Sequence, residues 1–376
     1  MIRARDLGIR IGHGRPGPFN ALTDVPGVRV GHTTLIDGDG PLVVGRGPVR
    51  TGVTVVVPHD GDPFHEPVFG GSFTLNGCGQ VTGLEWLRES GLLGGVIGLT
   101  NTHSVGVVHD ALIAAAVGDG LTDTWSLPVV GETWDGMLND VNGFHVWPEH
   151  ARAALDGASG GPVAEGNVGG GTGMVCHEFK GGIGTASRVL PADVGGWTVG
   201  ALVQTNYGDR DQLRVDGVAV GEALAVTEIS SPYGISRSPT AWADAGSIIG
   251  LVATDAPLLA RQCQRLAARA AIGAARVGCY ASHGSGDMFL AWSTGNRGLS
   301  AHAGEGRQGP MTVPAASVAD SWITPLLLAA VEATEEAIVN ALVGAETMTG
   351  IDGTVAHRLP HNRLVELVDR AGRLGR

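Results

Sequence analysis

Residues 244–254, DAGSIIGLVAT, contain the feature on which the predicted fold and chemistry depend. The pair Gly246-Ser247 opens a largely apolar run that predicts a buried strand. If the chain is cut between these two residues, Ser247 becomes a new N-terminus that carries a hydroxyl nucleophile and, in its own α-amine, a base. An α-amine has an ordinary pKa of about 7.7–8.0, which suits a base at neutral pH. An uncut strand-opening Gly-Ser pair is the alternative that the spacing leaves open.

A second polar cluster follows at residues 284–287, GSGD. Ser285 and Asp287 are two positions apart, so an extended backbone turns both side chains to the same side. A hydroxyl and a carboxylate on one face can orient the ammonium of a new N-terminus and relay protons to it. The alternative is a glycine-rich turn in which Asp287 binds backbone amides.

The composition is that of a folded, acidic protein. The chain has 376 residues, 43% of them hydrophobic, which is enough for a large core. Acidic residues outnumber basic ones by 37 to 25, and the net charge of −12 repels phosphate backbones and anionic lipids. We therefore expect neither nucleic acid nor a membrane as a partner.

The cysteines and histidines argue against disulfides, metals and cofactors. The four cysteines form no C-x-x-C pair, and we expect buried thiols in a reducing compartment. None of the thirteen histidines forms an H-E-x-x-H motif, and the glycine-rich residues 169–173 are not followed by a phosphate-binding lysine. We predict no metal and no cofactor. Without a secretory signal or a membrane span, the predicted location is cytoplasmic.

Hydrophobic periodicity and the positions of glycine and proline predict an α/β protein. Expected strands lie at residues 24–34, 52–58, 95–100, 181–190, 197–206, 217–220, 247–254 and 286–293. Expected helices lie at residues 83–94, 109–118, 149–156 and 321–344, with a long one from Asp255 as N-cap and Pro257 in its first turn to about Gly278. The polar, proline-containing stretch before Gly246 predicts an exposed loop that can be cut without losing buried contacts. One layered domain, residues 1–376, fits better than two.

Six separate segments together resemble one known family. They are GETWDGMLND (131–140), TGMVCHEFKGGIGTASR (172–188), LVQTNYG (202–208), GSIIGLVATDAPL (246–258), GSGDMFLAWSTGN (284–296) and NALVGAETMTG (340–350). In this order they resemble the β-aminopeptidase family of L-aminopeptidase/D-amino-acid esterases, over nearly the whole chain. The resemblance implies a four-layer α/β/β/α sandwich of the N-terminal-nucleophile type. It also implies self-cleavage at Gly246-Ser247 into an α chain, 1–246, and a β chain, 247–376.

The resemblance implies roles for four catalytic residues. The nucleophile falls on Ser247, and the hydroxyl and acid that support it fall on Ser285 and Asp287, where some relatives have glutamate. Asn206 matches the side-chain amide that stabilises the oxyanion. Without the resemblance, the favoured interpretation of Asn206 at a strand end is a turn residue.

Two further positions match substrate-binding residues. Glu132 matches the carboxylate that receives the free amino group of the substrate, where charge-assisted hydrogen bonds select for a free N-terminus. Trp134 departs from the family, since relatives carry tyrosine there. An indole N–H donates but cannot accept, and the added bulk narrows the pocket.

These residues predict an aminopeptidase that acts through an acyl-enzyme on Ser247. The expected substrates are short peptides, amino-acid amides or esters with a free amine, and the family implies a homo-oligomer. One alternative is a related self-cleaving hydrolase of pantetheine-like or oligoamide substrates. The other is a non-catalytic binding protein that is never cut.

Overall fold

Two sheets make up the centre of the protein. A computed structural model describes residues 1–121, 125–234, 246–299 and 312–375. The smaller sheet contains β1 (Arg29–Asp37), β2 (Val49–Val57), β5 (Ile97–Asn101) and β6 (Val129–Thr133), in the order β1-β2-β5-β6. The larger one contains β3 (Val68–Gly77), β4 (Leu92–Leu93), β9 (Gly182–Val189), β10 (Thr198–Asn206), β11 (Ser247–Thr254) and β12 (Gly286–Ser293), in the order β4-β3-β12-β11-β10-β9.

The remaining elements are two short hairpins and seven helices in the described ranges. The hairpins pair β7 (Val175–Cys176) with β8 (Phe179–Lys180) and β13 (Met348–Thr349) with β14 (Val355–Ala356). The helices are α1 (Leu84–Ser90), α2 (Val105–Gly118), α3 (Pro148–Asp156), α4 (Val220–Ala223), α5 (Ala260–Val277), α6 (Thr324–Val343) and α7 (His361–Arg370).

Three apolar cores separate four layers. Leu99 of the smaller sheet meets Leu251 and Leu290 of the larger one in the core between the sheets. Helices α2 and α3 cover the outer face of the smaller sheet, and α5 and α6 cover the outer face of the larger one. The predicted α/β/β/α sandwich is therefore confirmed. No helix in the described ranges is long and apolar enough to cross a bilayer.

Helix α5 joins the two strands that carry the predicted catalytic residues. Its buried face includes Cys263, Leu266 and Ala270, and it ends at Gly278, whose φ of 111° is the left-handed conformation that caps helices. Because α5 crosses from the end of β11 to the start of β12, the two strands run parallel and begin at the same edge.

Strand alternation assigns the side chains of the larger sheet to two faces. Ile249 and Met288 lie in the core between the sheets, whereas Ile248 and Phe289 pack against the helices. Because successive side chains point to opposite faces, Ser247 falls on the inter-sheet side.

Several local predictions were wrong. Residues 217–220 do not form the predicted strand. Instead, the Val215–Val218 bridge closes a turn, and α4 begins at Val220. The long helix begins at Ala260 rather than near Pro257, because Asp255 accepts the Thr198 N–H instead of capping a helix. Cys78 is exposed, while the other three cysteines are buried. Residues 235–245 of the predicted exposed loop lie outside the described part.

Candidate active site

The predicted nucleophile lies between two strands, each of which carries a predicted partner. In the sheet register, Ser247 of β11 is opposite Asn206 of β10 and Gly286 of β12. Directly opposed residues on neighbouring antiparallel strands have Cβ atoms about 4.5–5.5 Å apart, which is within reach of a side-chain amide. All four predicted catalytic residues are buried. The fold therefore brings these residues together from three strands.

The peptide bond between Gly246 and Ser247 is held at its carbonyl oxygen. The Ser247 hydroxyl donates to this oxygen at 2.5 Å, and the Gly286 N–H donates to it at 3.1 Å. A Cβ on Gly246 would lie 3.2 Å from the Tyr207 Cα and 3.3 Å from the Ser285 Oγ. Gly246 is not in the left-handed region, so lack of space, not backbone strain, favours glycine here.

Ser285 and Asp287 form a pair on the helix side of the sheet. The Ser285 hydroxyl donates to Asp287 Oδ1 at 2.7 Å, as their spacing predicted. Burial raises the pKa of Asp287 to about 6, although the bonds from Ser285 and the Ile248 backbone lower it. Oδ2 is buried and has no hydrogen-bond partner within the described residues. This oxygen is thus an acceptor available to a cation at the start of β11.

The side-chain amide of Asn206 has a fixed orientation. Its Oδ1 accepts the Val175 N–H at 2.9 Å, so the opposite end of the amide is the donor Nδ2. Nδ2 is buried and unpartnered in the described part of the chain. Leaving a buried donor unsatisfied costs about 1–3 kcal/mol. Such a cost is expected where a donor awaits a charge that forms only during a reaction.

Glu132 lies near the end of β6 and next to Gly79, in the loop that follows β3. This loop approaches Gly286 at the start of β12, the strand that pairs with β11. Its Oε1 accepts the Gln80 N–H at 2.9 Å, and its Oε2 accepts the Thr102 hydroxyl. A Cβ on Gly79 would lie 3.0 Å from Glu132 Oε1 and 3.2 Å from the Gly286 Cα. Burial raises the pKa of Glu132, although these two hydrogen bonds lower it. A bound ammonium would reverse that shift.

Trp134 lies immediately beyond β6 and is half-buried. Its indole packs over Gly136, where a Cβ would approach Nε1 to 2.8 Å. Trp134 makes no hydrogen bond to any described residue. The structure thus places the Trp134 ring against Gly136, and the predicted contact with substrate stays a prediction.

Sequence reasoning missed several contributors to the site. Thr102 and Gly79 contact Glu132, and the Gly286 N–H donates to the Gly246 carbonyl oxygen. Thr102 directly follows β5, which is parallel to β6, so the shared edge of these strands was the available signal. The hydrogen bond from the Val175 N–H to Asn206 could not be predicted, because side-chain motifs carry no information on backbone groups. No group of three or more potential ligands in the described ranges could hold a metal ion.

Comparisons with known proteins identify the family to which the chain belongs. Residues 20–356 match peptidase family S58. The chain is 48% identical to the beta-peptidyl aminopeptidase BapA of Sphingosinicella microcystinivorans, covering 99% of this chain and 93% of the relative. A solved Burkholderia sp. beta-aminopeptidase superposes with a TM-score of 0.90 at 53% identity, covering 99% of both chains.

A third relative concerns the fold itself. The L-aminopeptidase D-Ala-esterase/amidase of Ochrobactrum anthropi superposes with a TM-score of 0.86 at 41% identity over 99% of both chains. That protein is described as a prototype of the serine aminopeptidases and a new variant among the Ntn hydrolase fold. The family match covers most of the chain, and the layered fold and the relatives agree with it. The chain therefore belongs to peptidase family S58 and is an enzyme of the serine aminopeptidase type.

Proposed function

We propose that the chain cuts itself between Gly246 and Ser247 and then removes N-terminal residues from short peptides, amino-acid amides or esters. The products of self-cleavage are an α chain, residues 1–246, and a β chain, residues 247–376. The observation that carries the proposal is the Ser247 hydroxyl at 2.5 Å from the Gly246 carbonyl oxygen, in a peptide flanked by Ser285, Asp287 and Asn206.

Self-cleavage follows from this geometry as an acyl shift. Ser247 Oγ attacks the Gly246 carbonyl carbon, the C–N bond breaks, the hydroxyl proton passes to the leaving nitrogen, and the Gly246 acyl group moves to the hydroxyl oxygen as an ester. The Gly286 N–H stabilises the charge that develops on the carbonyl oxygen. Water then hydrolyses the ester. A pocket of about 20 Å³ lined by Tyr207, Gly246 and Ser285 is large enough for one water molecule.

The freed α-amine serves as the base during turnover. The neutral amine takes the Ser247 hydroxyl proton while Oγ attacks the substrate carbonyl, and it returns that proton to the leaving group. The resulting ammonium is held by Ser285 and by the open Oδ2 of Asp287. Asn206 Nδ2 donates to the oxyanion. Water releases the product from the acyl-enzyme, and the enzyme is regenerated.

Glu132 selects substrates with a free amine. Its carboxylate accepts the substrate ammonium, while Thr102 and the Gln80 N–H hold it in place. Two relatives, 48% and 53% identical, are named for β-peptides or β-amino acids. We therefore include N-terminal β-amino-acid residues among the substrates. Cytoplasmic location and a homo-oligomer stay predictions.

Substituting Gly246 with alanine tests the self-cleavage step. A methyl group there would lie 3.2 Å from the Tyr207 Cα, a backbone atom that cannot move aside freely. We expect Gly246→Ala to slow cleavage about tenfold or more, on the order of 1.4 kcal/mol of barrier. The rate is measured by intact mass over time after synthesis. Gly160→Ala, at a glycine with open space around it and no left-handed φ, is the control for general effects of alanine. Cleavage of Gly246→Ala at the wild-type rate would count against the proposed geometry.

Substituting Glu132 with glutamine tests the amine site. Because this removes the charge of a buried carboxylate, we expect kcat/KM on amino-acid p-nitroanilides to fall at least about thirtyfold, or ~2 kcal/mol. The wild-type KM should also rise as pH falls, because protonation of Glu132 removes the charge that binds the ammonium. This rise should be absent in Glu132→Gln.

Matched substrates and a matched variant complete the test. N-acetylation should abolish wild-type turnover, and Glu132→Gln should lose most of the preference for the free amine. Glu335→Gln changes a buried carboxylate whose pKa is also raised, on α6, and should leave KM unchanged. Equal wild-type activity on free and acetylated substrates would instead favour the related hydrolases of pantetheine-like or oligoamide substrates.

A further inference from the structure

Lys180 is the only lysine in the sequence. The chain has 25 basic residues, and all the others are arginine. Lys180 lies at the end of β8, opposite Val175 in the β7–β8 hairpin. Its side chain is fully buried. The only lysine side chain of the sequence is therefore buried next to Val175, whose N–H donates to Asn206 Oδ1.

The ammonium of Lys180 is surrounded by backbone carbonyl groups. Nζ donates to the carbonyl oxygens of Met174 at 2.8 Å, Gly181 at 2.8 Å and Gly171 at 3.3 Å. No carboxylate within the described residues forms an ion pair with it. Burial lowers the pKa of Lys180 to about 7, although Cys176 and Asp135 raise it. An unpaired buried charge costs stability, so packing alone does not account for a lysine here.

One peptide group connects Lys180 to the predicted oxyanion donor. The carbonyl of the Met174–Val175 peptide accepts from Lys180 Nζ, and the N–H of the same peptide donates to Asn206 Oδ1 at 2.9 Å. The Gly181 N–H also donates to this carbonyl, at 3.0 Å. Hydrogen bonds in such a chain polarise one another. A cation on the carbonyl therefore makes the peptide N–H, and in turn the Asn206 amide, a stronger donor.

We propose that Lys180 is a positioning residue for the oxyanion-stabilising amide of Asn206, acting through the Met174–Val175 peptide. The proposal rests on the function proposed above, because it requires Asn206 to bind the oxyanion. Lys180 fixes the plane of the peptide that anchors Asn206 Oδ1. Its charge adds to the field that Nδ2 presents to the developing negative oxygen.

The choice of lysine follows from the shape of the site. Three carbonyl oxygens surround a single point, which suits an ammonium with three donors on one nitrogen. The planar fork of arginine spreads its donors and cannot meet the three oxygens in the same way. This geometry explains why position 180 has lysine, whereas every other basic residue of the chain is arginine.

A double-mutant cycle tests the proposal. Lys180→Met keeps an unbranched side chain one atom shorter and removes the donors and the charge. We expect kcat on an amino-acid p-nitroanilide to fall on the order of tenfold, with KM within about twofold, since only an interaction formed in the transition state is lost. In the Asn206→Ala background, Lys180→Met should have little further effect, because the amide through which Lys180 acts is absent. Additive effects would overturn the proposal.

Failure of the inference can be distinguished from failure of the proposed function. If Asn206→Ala alone keeps wild-type kcat, the proposed role of Asn206 is wrong. If that variant is impaired and Lys180→Met adds its full effect, only the inference about Lys180 is wrong. Kinetics are measured on chains shown by N-terminal sequencing to be cut at Ser247. During self-cleavage the Gly246 carbonyl oxygen is stabilised by the Gly286 N–H and not by Asn206. A folded Lys180→Met chain that stays uncut would therefore also contradict the proposal.

A matched variant controls for loosening of the hairpin. Arg210 is a second buried cation at the β7–β8 hairpin; it stacks on Phe179 at 4.4 Å and donates to the Glu178 carbonyl. It does not contact the Met174–Val175 peptide. Arg210→Met should lower the melting temperature and leave kcat within about twofold of wild type. A tenfold loss of kcat in this control would mean that any damage to the hairpin suffices, which overturns the specific role of Lys180.

A spectroscopic measurement is independent of activity. Enzyme labelled with ¹⁵N,¹³C-lysine has one side-chain signal, because the chain has one lysine. We expect this signal to titrate near pH 7, well below the ordinary lysine value of about 10.4. A signal that titrates at the ordinary value, with Nζ protons that exchange freely with water, would show that Lys180 is solvated and not bonded to the three carbonyl groups, and the proposal would be rejected.

Discussion

Replacing Ser247 with alanine is expected to abolish both chain cleavage and hydrolysis. The variant lacks the oxygen that must attack the Gly246 carbonyl, and without cleavage no α-amine is released at residue 247. Purified Ser247→Ala should therefore be a single chain of 38.4 kDa with no measurable turnover of amino-acid p-nitroanilides. Intact mass and a p-nitroaniline assay on the same preparation measure the two effects together.

A serine elsewhere in the same sheet provides the control. Ser72 of β3 is buried, and its hydroxyl has no hydrogen-bond partner within the described residues. Ser72→Ala should therefore be cut and active like the wild type. If Ser247→Ala were still cut or still hydrolysed substrate at the wild-type rate, another side chain would have to be the nucleophile.

Replacing Asn206 with alanine is expected to lower kcat about a hundred- to a thousandfold, with KM nearly unchanged. Loss of one oxyanion donor costs about 2.7–4 kcal/mol in the transition state. Cleavage of the chain should continue, because the Gly246 carbonyl is held by the Gly286 N–H and not by Asn206. Steady-state kinetics on the cut variant measure this loss.

Asn206→Asp separates the two ends of the amide. An ionised aspartate can still accept the Val175 N–H but has no N–H to donate. We therefore expect no recovery of kcat relative to Asn206→Ala. Wild-type turnover in Asn206→Asp would show that anchoring of Val175, and not donation to the oxyanion, is the function of this side chain.

The strand-helix-strand unit that carries three of the proposed catalytic residues could be predicted from sequence. The apolar run after Gly246 and the strand 286–293 have the predicted bounds, and the helix between them ends at Gly278 as expected. A helical crossover between neighbouring strands makes them parallel. Ser247 and Gly286 therefore meet at one edge, and the local spacing of Ser285 and Asp287 gives their hydrogen bond.

Contacts made across the fold could not be predicted from the chain itself. The division between Ser247 on the inter-sheet side and Asp287 on the helix side depends on register between strands, which local patterns do not contain. The contact between Glu132 and the Gly79 loop joins the ends of different sheets. The link from Lys180 to Asn206 passes through a backbone peptide, and the roles of these residues remain proposals.

The local errors have local causes. Residues 217–220 have the composition of a strand but lack a neighbour to pair with beyond the Val215–Val218 bridge, so tertiary contacts override their propensity. Asp255 resembles an N-cap, yet β10 supplies a competing backbone donor at Thr198. Cys78 is exposed because its loop lies at the edge of the site rather than in a core.

Amine labelling of the purified, active wild-type enzyme after denaturation, followed by mass-spectrometric sequencing of the labelled peptides, tests the account most directly. Lys180 is the only lysine, so an amine-reactive reagent labels the α-amines and a single side chain. We predict two labelled α-amines, one of which is that of Ser247. A fully active preparation that consists of one uncut 38.4 kDa chain, with its original N-terminus as the only labelled α-amine, would contradict the account.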